Sequence, residues 1–197
     1  MSLDQIQTKI SGHVKIVDKA TNEVVLDKNN AIHTRNLAIA LARGLSNELP
    51  DSSNRGKYQI FKLKLGNGGT YINSSDEITY LAPNVVDPNS DLWSPTYEEQ
   101  VDARDVSTPS ENSVTYQENP TPENSVIIIV TATIGATEPS GQLSTDTPGQ
   151  LNSQFAFDEL GLFTSDGLLL SHLIFAPILK TATRELVITY TLTLSVQ

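Results

Sequence analysis

The sequence predicts a mainly β protein: an antiparallel β-sandwich or jelly-roll-like domain with one α-helix in its N-terminal half and long loops. Three observations carry this. From Arg184 to Val196 the chain alternates strictly, with Leu186, Ile188, Tyr190, Leu192, Leu194 and Val196 on one face and Val187, Thr189, Thr191, Thr193 and Ser195 on the other. Helical spacing of apolar residues occurs once. Of 197 residues only 38% are hydrophobic and 18% charged, and the remainder, with 10 prolines and 11 glycines, suits turn-rich β structure.

The elements follow in order. Residues 9–17 are rich in β-branched side chains and read as a strand, Asp18 to Asn22 as a turn, and Glu23 to Asp27 as the returning strand of a hairpin. Asn29 and Asn30 end that strand and offer an N-cap. The helix is expected over about 31–43, with Leu37, Leu41 and Leu45 at i+4 spacing and Gly44 at the C′ position. Tyr58 to Leu65 is a strand with Phe61, Leu63 and Leu65 opposite Lys62 and Lys64, closed by the glycine turn Gly66-Asn67-Gly68-Gly69. About 66–112 then reads as an extended loop, an arm or lid anchored by Leu92, Trp93 and Tyr97. Ser113 to Glu118 is a short strand, and Ser125 to Ile134 a strong one whose aliphatic run Val126–Val130 predicts burial on both faces. A second long loop covers about 135–153. Strands at 155–164 and 168–176 are joined by the turn Ser165-Asp166-Gly167. No linker divides the chain, so 1–197 reads as a single β-rich domain.

Charge narrows the function. The net charge of −10 argues against nucleic acid as a partner, because phosphate binding needs clustered Lys and Arg. Residues 1–64 carry +4, residues 65–179 carry −15 and the last 18 carry +1. Such segregation suits pairing within the fold or between neighbouring copies. Cysteine is absent, which excludes disulfides, thiolate nucleophiles and Cys-based zinc sites. The first residues lack a basic segment followed by an apolar one, and no run approaches a membrane span, so a soluble protein made in the cytoplasm with no membrane partner is expected.

Chemistry-bearing patterns are weak. His13, His33 and His172 form no i, i+4 pair and read as packing or hydrogen-bonding residues. The glycine turn at 66–69 lacks the Gly-Lys-Ser/Thr ending of a phosphate loop and reads as structural. Asp87, Asn89, Asp91 and Glu98 match calcium-loop positions 1, 3, 5 and 12, but Leu92 sits where glycine is required and two prolines interrupt the frame. Glu98-Glu99 and Asp102/Asp105 resemble a glycosidase acid pair in composition only. No catalytic, metal or cofactor site is therefore assigned, and the chain is expected not to be an enzyme.

Two stretches carry a resemblance. One is Gly12–Ile16 with Val24–His33 and the helix that follows. The other is Phe157-Asp158-Glu159-Leu160-Gly161-Leu162-Phe163, then Asp166-Gly167, Leu170-Ser171-His172, Phe175-Ala176-Pro177, Lys180 and the closing strand Val187–Leu192. Together they span roughly half the chain and resemble small virion structural proteins of contractile-tailed bacteriophages. The Glu159–Phe163 segment with its following turn also resembles tail-fibre and baseplate attachment modules. The resemblance implies a β-rich neck or collar subunit of the virion that forms a homo-oligomeric ring and docks on the head–tail connector. Its partners would be itself and other structural proteins of connector, tail or baseplate. Baseplate or fibre attachment and capsid decoration are alternatives within that class. A carbohydrate-binding module stacking glycans on Tyr80, Trp93 and Tyr97 is the alternative from another class, and a hydrolase using Glu98, Glu99 or Asp102 the third.

Overall fold

The computed structural model describes residues 7–46, 58–101, 112–119, 124–139 and 156–196. The elements are β1 (Thr8–Asp18), β2 (Val24–Asn29), β3 (Ala31–Ile32), α1 (Thr34–Leu45), β4 (Ile60–Gly66), β5 (Thr70–Ile72), β6 (Ile78–Tyr80), β7 (Pro95–Gln100), β8 (Ser113–Asn119), β9 (Ser125–Ile134), β10 (Ala156–Thr164), β11 (Leu169–Leu179) and β12 (Leu186–Val196). Two five-stranded antiparallel sheets face each other. Sheet A has the order β2-β1-β12-β9-β8, sheet B the order β3-β11-β10-β4-β7, and β5-β6 form a separate ribbon. This is the predicted β-sandwich with its single helix.

Period two explains the core. On β12 the inward set Leu186, Ile188, Tyr190 and Leu192 is buried, and so are Val14 and Ile16 on β1 and Val130, Ala132 and Ile134 on β9. From sheet B, Leu63 and Leu65 on β4 stand beside Leu162 and Leu160 on β10, all buried in the same cluster. Each fully buried side chain of this kind contributes roughly 1.5–3 kcal/mol. A polar bridge crosses between the sheets: Asn30 donates from Nδ2 to the Tyr190 hydroxyl, which donates to Ser171 Oγ on β11. The Asn30 side chain occupies the space a Cβ on Gly12 would need, so β1 requires glycine there.

The helix begins later than expected. Ala31 and Ile32 are taken up as β3, paired with His172 and Ser171 of β11. His33, not Asn29 or Asn30, is the N-cap; its Nδ1 accepts the Asn36 N–H at 3.3 Å. At the other end Gly44 lies inside α1 and Ser46 is the C-cap. Leu37 and Ala40 reach the core, whereas Leu45 is 85% exposed, because the last turn runs past the edge of the sandwich.

The predicted loop over 66–112 is instead largely structured. It contains β5, β6 and β7, and residues 81–94 lie as a third layer on the outer side of sheet B, where Leu92 packs on Phe163 and Leu169. The second long loop, 135–153, falls mostly outside the described residues. Burial of β9 on both faces is also corrected. Ile127 and Ile129 point away from the core and are only partly buried, since no described residue covers the outer face of sheet A.

Candidate functional site

The most concentrated polar chemistry lies under the third layer, on β10 and β11. The pairing of β10 with β11 shifts register between Phe157 and Glu159, and both Asp158 and Glu159 are buried within an otherwise apolar strand. Asp158 accepts the Gly69 N–H at Oδ1 (2.8 Å), and at Oδ2 the Thr70 N–H (2.9 Å) and hydroxyl (2.5 Å). Glu159 Oε1 accepts the N–H groups of Gly68 (3.1 Å) and Ser94 (2.7 Å). Its Oε2 accepts the Trp93 N–H at 2.9 Å and His172 Nε2 at 3.0 Å.

The imidazole is oriented from its other side. Asn84 donates its N–H to His172 Nδ1 at 2.8 Å, so the ring proton sits on Nε2 and is given to Glu159. Burial pushes the Glu159 carboxyl up, but the His172 hydrogen bond and the Ser94 and Trp93 N–H groups outweigh it and hold the group below the usual range. For Asp158 burial prevails over its three hydrogen bonds and the group is raised. The Asp158–Glu159 pair therefore acts as two clasps. One holds the root of the β5-β6 ribbon and the other holds residues 93–94 onto sheet B.

The glycine turn has its reason here. A Cβ on Gly68 would lie 2.7 Å from Ser94 Cβ, and one on Gly69 would lie 2.8 Å from the Asp158 carbonyl oxygen. A Cβ on Gly66 would collide with the Glu159 carboxylate. Only bare backbone brings these N–H groups within reach of the two acids. Glu159 and His172 show no exposed side-chain surface. Spacing rules overlooked these acids, yet two adjacent carboxylates inside the run Phe157–Phe163 were a visible signal.

The same layer is pinned at three further points. His33 Nε2 donates to the Asp87 carbonyl at 2.8 Å, and Asn36 Nδ2 donates to the carbonyls of Pro88 (3.2 Å) and Leu169 (3.1 Å). Lys64 pairs with Asp91 at 2.6 Å. Lys180, fully buried at the end of β11, donates to the carbonyl oxygens of Thr181 (3.1 Å) and Ala136 (3.4 Å).

The other sequence candidates are dispersed. Of the calcium-loop residues, Asp91 pairs with Lys64, Glu98 pairs with Lys62, and Asp87 Oδ1 accepts the Asn89 N–H. No group of three or more metal-ligating side chains occurs among the described residues. Glu98 and Glu99 lie on opposite faces of β7, the latter hydrogen-bonded by Tyr97 and Asn112; Asp102 and Asp105 lie outside the described residues. The Tyr80, Trp93 and Tyr97 platform does not form. Tyr97 faces into the sandwich with its ring 6.4 Å from Phe157, while Trp93 is 48% exposed and donates Nε1–H to the Ala82 carbonyl. The Trp93 backbone anchors the third layer, and its ring does not.

Among the described residues three apolar or uncharged surface features stand out. Sheet A presents the uncharged outer faces of β9 and β12. The ribbon β5-β6 exposes Tyr71, Ile72, Ile78 and Tyr80. An apolar cavity of about 530 Å³ opens beside α1, lined by Ile10, Leu37, Leu41, Tyr116, Ile128 and Leu194 among others. No described helix is long and apolar enough to cross a membrane.

Fold and clasps together define an antiparallel β-sandwich with one outer face roofed and the other, among the described residues, uncovered. Comparison with protein-family models, curated proteins and solved structures finds no match to the chain.

Proposed function

We propose that this chain is a structural subunit of a contractile-tailed bacteriophage virion, a neck or collar protein that self-associates and docks on the head–tail connector. One observation carries the assembly part of this reading. Sheet B is roofed by residues 81–94 of the same chain, whereas on the outer face of sheet A Ile127 and Ile129 are only partly buried and no described residue roofs them. A central strand with aliphatic residues on both faces is the pattern of a sheet covered on both sides. Among the described residues only one side is covered, which supports a reading in which a neighbouring molecule supplies the other. The virion part rests on the resemblance over Gly12–His33 and Phe157–Leu192, a stretch that includes both clasp acids and His172.

The test is native mass at low and high salt, with imaging of large species and co-purification with phage particles. A ring of defined copy number that binds the connector supports the neck or collar position. Binding at baseplate, fibre joint or capsid moves the subunit within the virion. A monomer at every salt concentration that leaves particles untouched overturns the reading. A glycan array probed with the wild type and Trp93→Ala tests the carbohydrate-binding alternative.

A further inference from the structure

Taking self-association as given by the reading above, we propose that the β5-β6 ribbon of one copy docks on the outer face of sheet A of the next copy, head to tail. In the ribbon, Thr70 pairs with Tyr80, Tyr71 with Thr79 and Ile72 with Ile78. Alternation places Ile72, Ile78 and Tyr80 on one face and Tyr71 on the other. These four are 42–53% exposed. The ribbon joins neither large sheet. A two-stranded ribbon this short does not hold its shape alone. This one is fixed at its root, where Asp158 grips Gly69 and Thr70. It is an arm set in place before binding, which lowers the ordering cost of docking.

Charge selects the occupant. The ribbon tip carries Asp76 and Glu77, exposed and without an ion pair among the described residues. On the outer face of sheet A, Ile127, Ile129 and Thr131 of β9 lie beside Thr189, Thr191 and Thr193 of β12, with no charge among them. Bordering β12, β1 turns Lys9 and Lys15 to the same side, in register with Ser195 and Thr189, with Asp27 of β2 opposite Lys15 and bound by His13. Both lysines are exposed and make no ion pair among the described residues. An apolar arm with an acidic tip thus matches an uncharged β-branched face whose border carries two lysines and one acid, Asp27, already engaged by His13, both on the same molecule. Because the two surfaces differ, the contact repeats from copy to copy and closes into a ring when the rotation permits.

The absence of cysteine makes the test clean. Ile72→Cys and Thr191→Cys proteins, differing in tag size, are mixed and oxidised. The mixed disulfide dimer is expected to dominate over either self-linked product. Asp76→Lys with Glu77→Lys is expected to lower the oligomeric fraction about tenfold at low salt, and mixing with Lys9→Glu/Lys15→Glu protein to restore it. Self-linking of Thr191→Cys as the main product means two sheet A faces meet across a two-fold, which overturns the ribbon contact. An oligomer whose mass ignores the charge reversals overturns the contact and leaves self-association standing. A monomer under all conditions overturns both.

Discussion

His172 donates from Nε2 to Glu159 Oε2 at 3.0 Å, with both side chains wholly removed from solvent. The histidine is held by the Asn84 N–H and the carboxylate by three further N–H groups, so the pair ties residues 84, 93 and 94 to the middle of sheet B. Glu159→Gln keeps the shape but replaces one acceptor oxygen with a donor amide. Loss of about 3 kcal/mol is expected, in the range for breaking one partner of a buried charged network. Urea unfolding measures it. Trp93, the one tryptophan, sits on the freed segment and its emission should report detachment before global unfolding.

Two glycines are expected to respond with opposite sign. Gly68→Ala puts a Cβ 2.7 Å from Ser94 Cβ and 2.8 Å from Ser94 N, and should destabilise by roughly 2 kcal/mol as the clasp is pushed open. Gly44→Ala meets nothing within 4 Å in the exposed last turn of α1, and should stabilise by about 0.5–1 kcal/mol. Thermal unfolding of the two variants beside the wild type checks the pair.

Asp18 predicts part of the acid limb of stability. Its Oδ2 accepts Arg184 Nε at 2.8 Å and its Oδ1 accepts the N–H groups of Ala20 (3.0 Å) and Thr21 (3.2 Å). The Arg184 hydrogen bond, opposed by burial and aided by those two N–H groups, holds the carboxyl below its usual range. A depressed carboxyl stabilises the fold fully above its unfolded value of about 3.9, and that share fades as pH falls through the folded value. Asp18→Asn should lose about 1–2 kcal/mol at pH 7 and show a flatter decline below pH 4. Denaturant midpoints at stepped pH test it, and an unchanged acid slope would refute it.

Tyr190→Phe removes the hydroxyl that joins Asn30 to Ser171 across the two sheets. It leaves a buried Asn30 amide donor without its acceptor, and a loss of about 1–2 kcal/mol is expected. The double variant with Ser171→Ala should lose less than the two single changes added together, because they break one chain of bonds.

Strands that bury one face in the core announced themselves through alternation, and β12 and β4 lie close to where the pattern put them. The β10-β11 turn was legible from Ser165-Asp166-Gly167, where Gly167 adopts φ 91°. The third layer was not legible, for a physical reason. It is held by carboxylates and imidazoles gripping backbone N–H and C=O groups, and backbone groups leave no mark in a sequence. The late start of α1 has the same origin, since the cap is the His33 ring accepting the Asn36 N–H, where Asn29 or Asn30 was expected to cap a helix from residue 31. At β9 the aliphatic run predicted burial on both faces, but the outward Ile127 and Ile129 are only partly buried, because among the described residues nothing covers that side.

Strand β1 pairs along its whole length with β12, Thr8 with Val196 through Asp18 with Leu186. Strand β1 leaves the ribosome long before β12 and must wait for it before sheet A can close. Until then β1 and β9 each lack the strand that lies between them, and their hydrogen-bonding edges stay open to other nascent chains. Pairings of such long sequence separation make closure slow and expose it to aggregation. In sheet B the β10-β11 hairpin is local, while β3 and β4 wait for β11 and β10 respectively. Folding in the cell is therefore expected to start at the β10-β11 hairpin, with translation rate and chaperone supply governing the yield of folded chain.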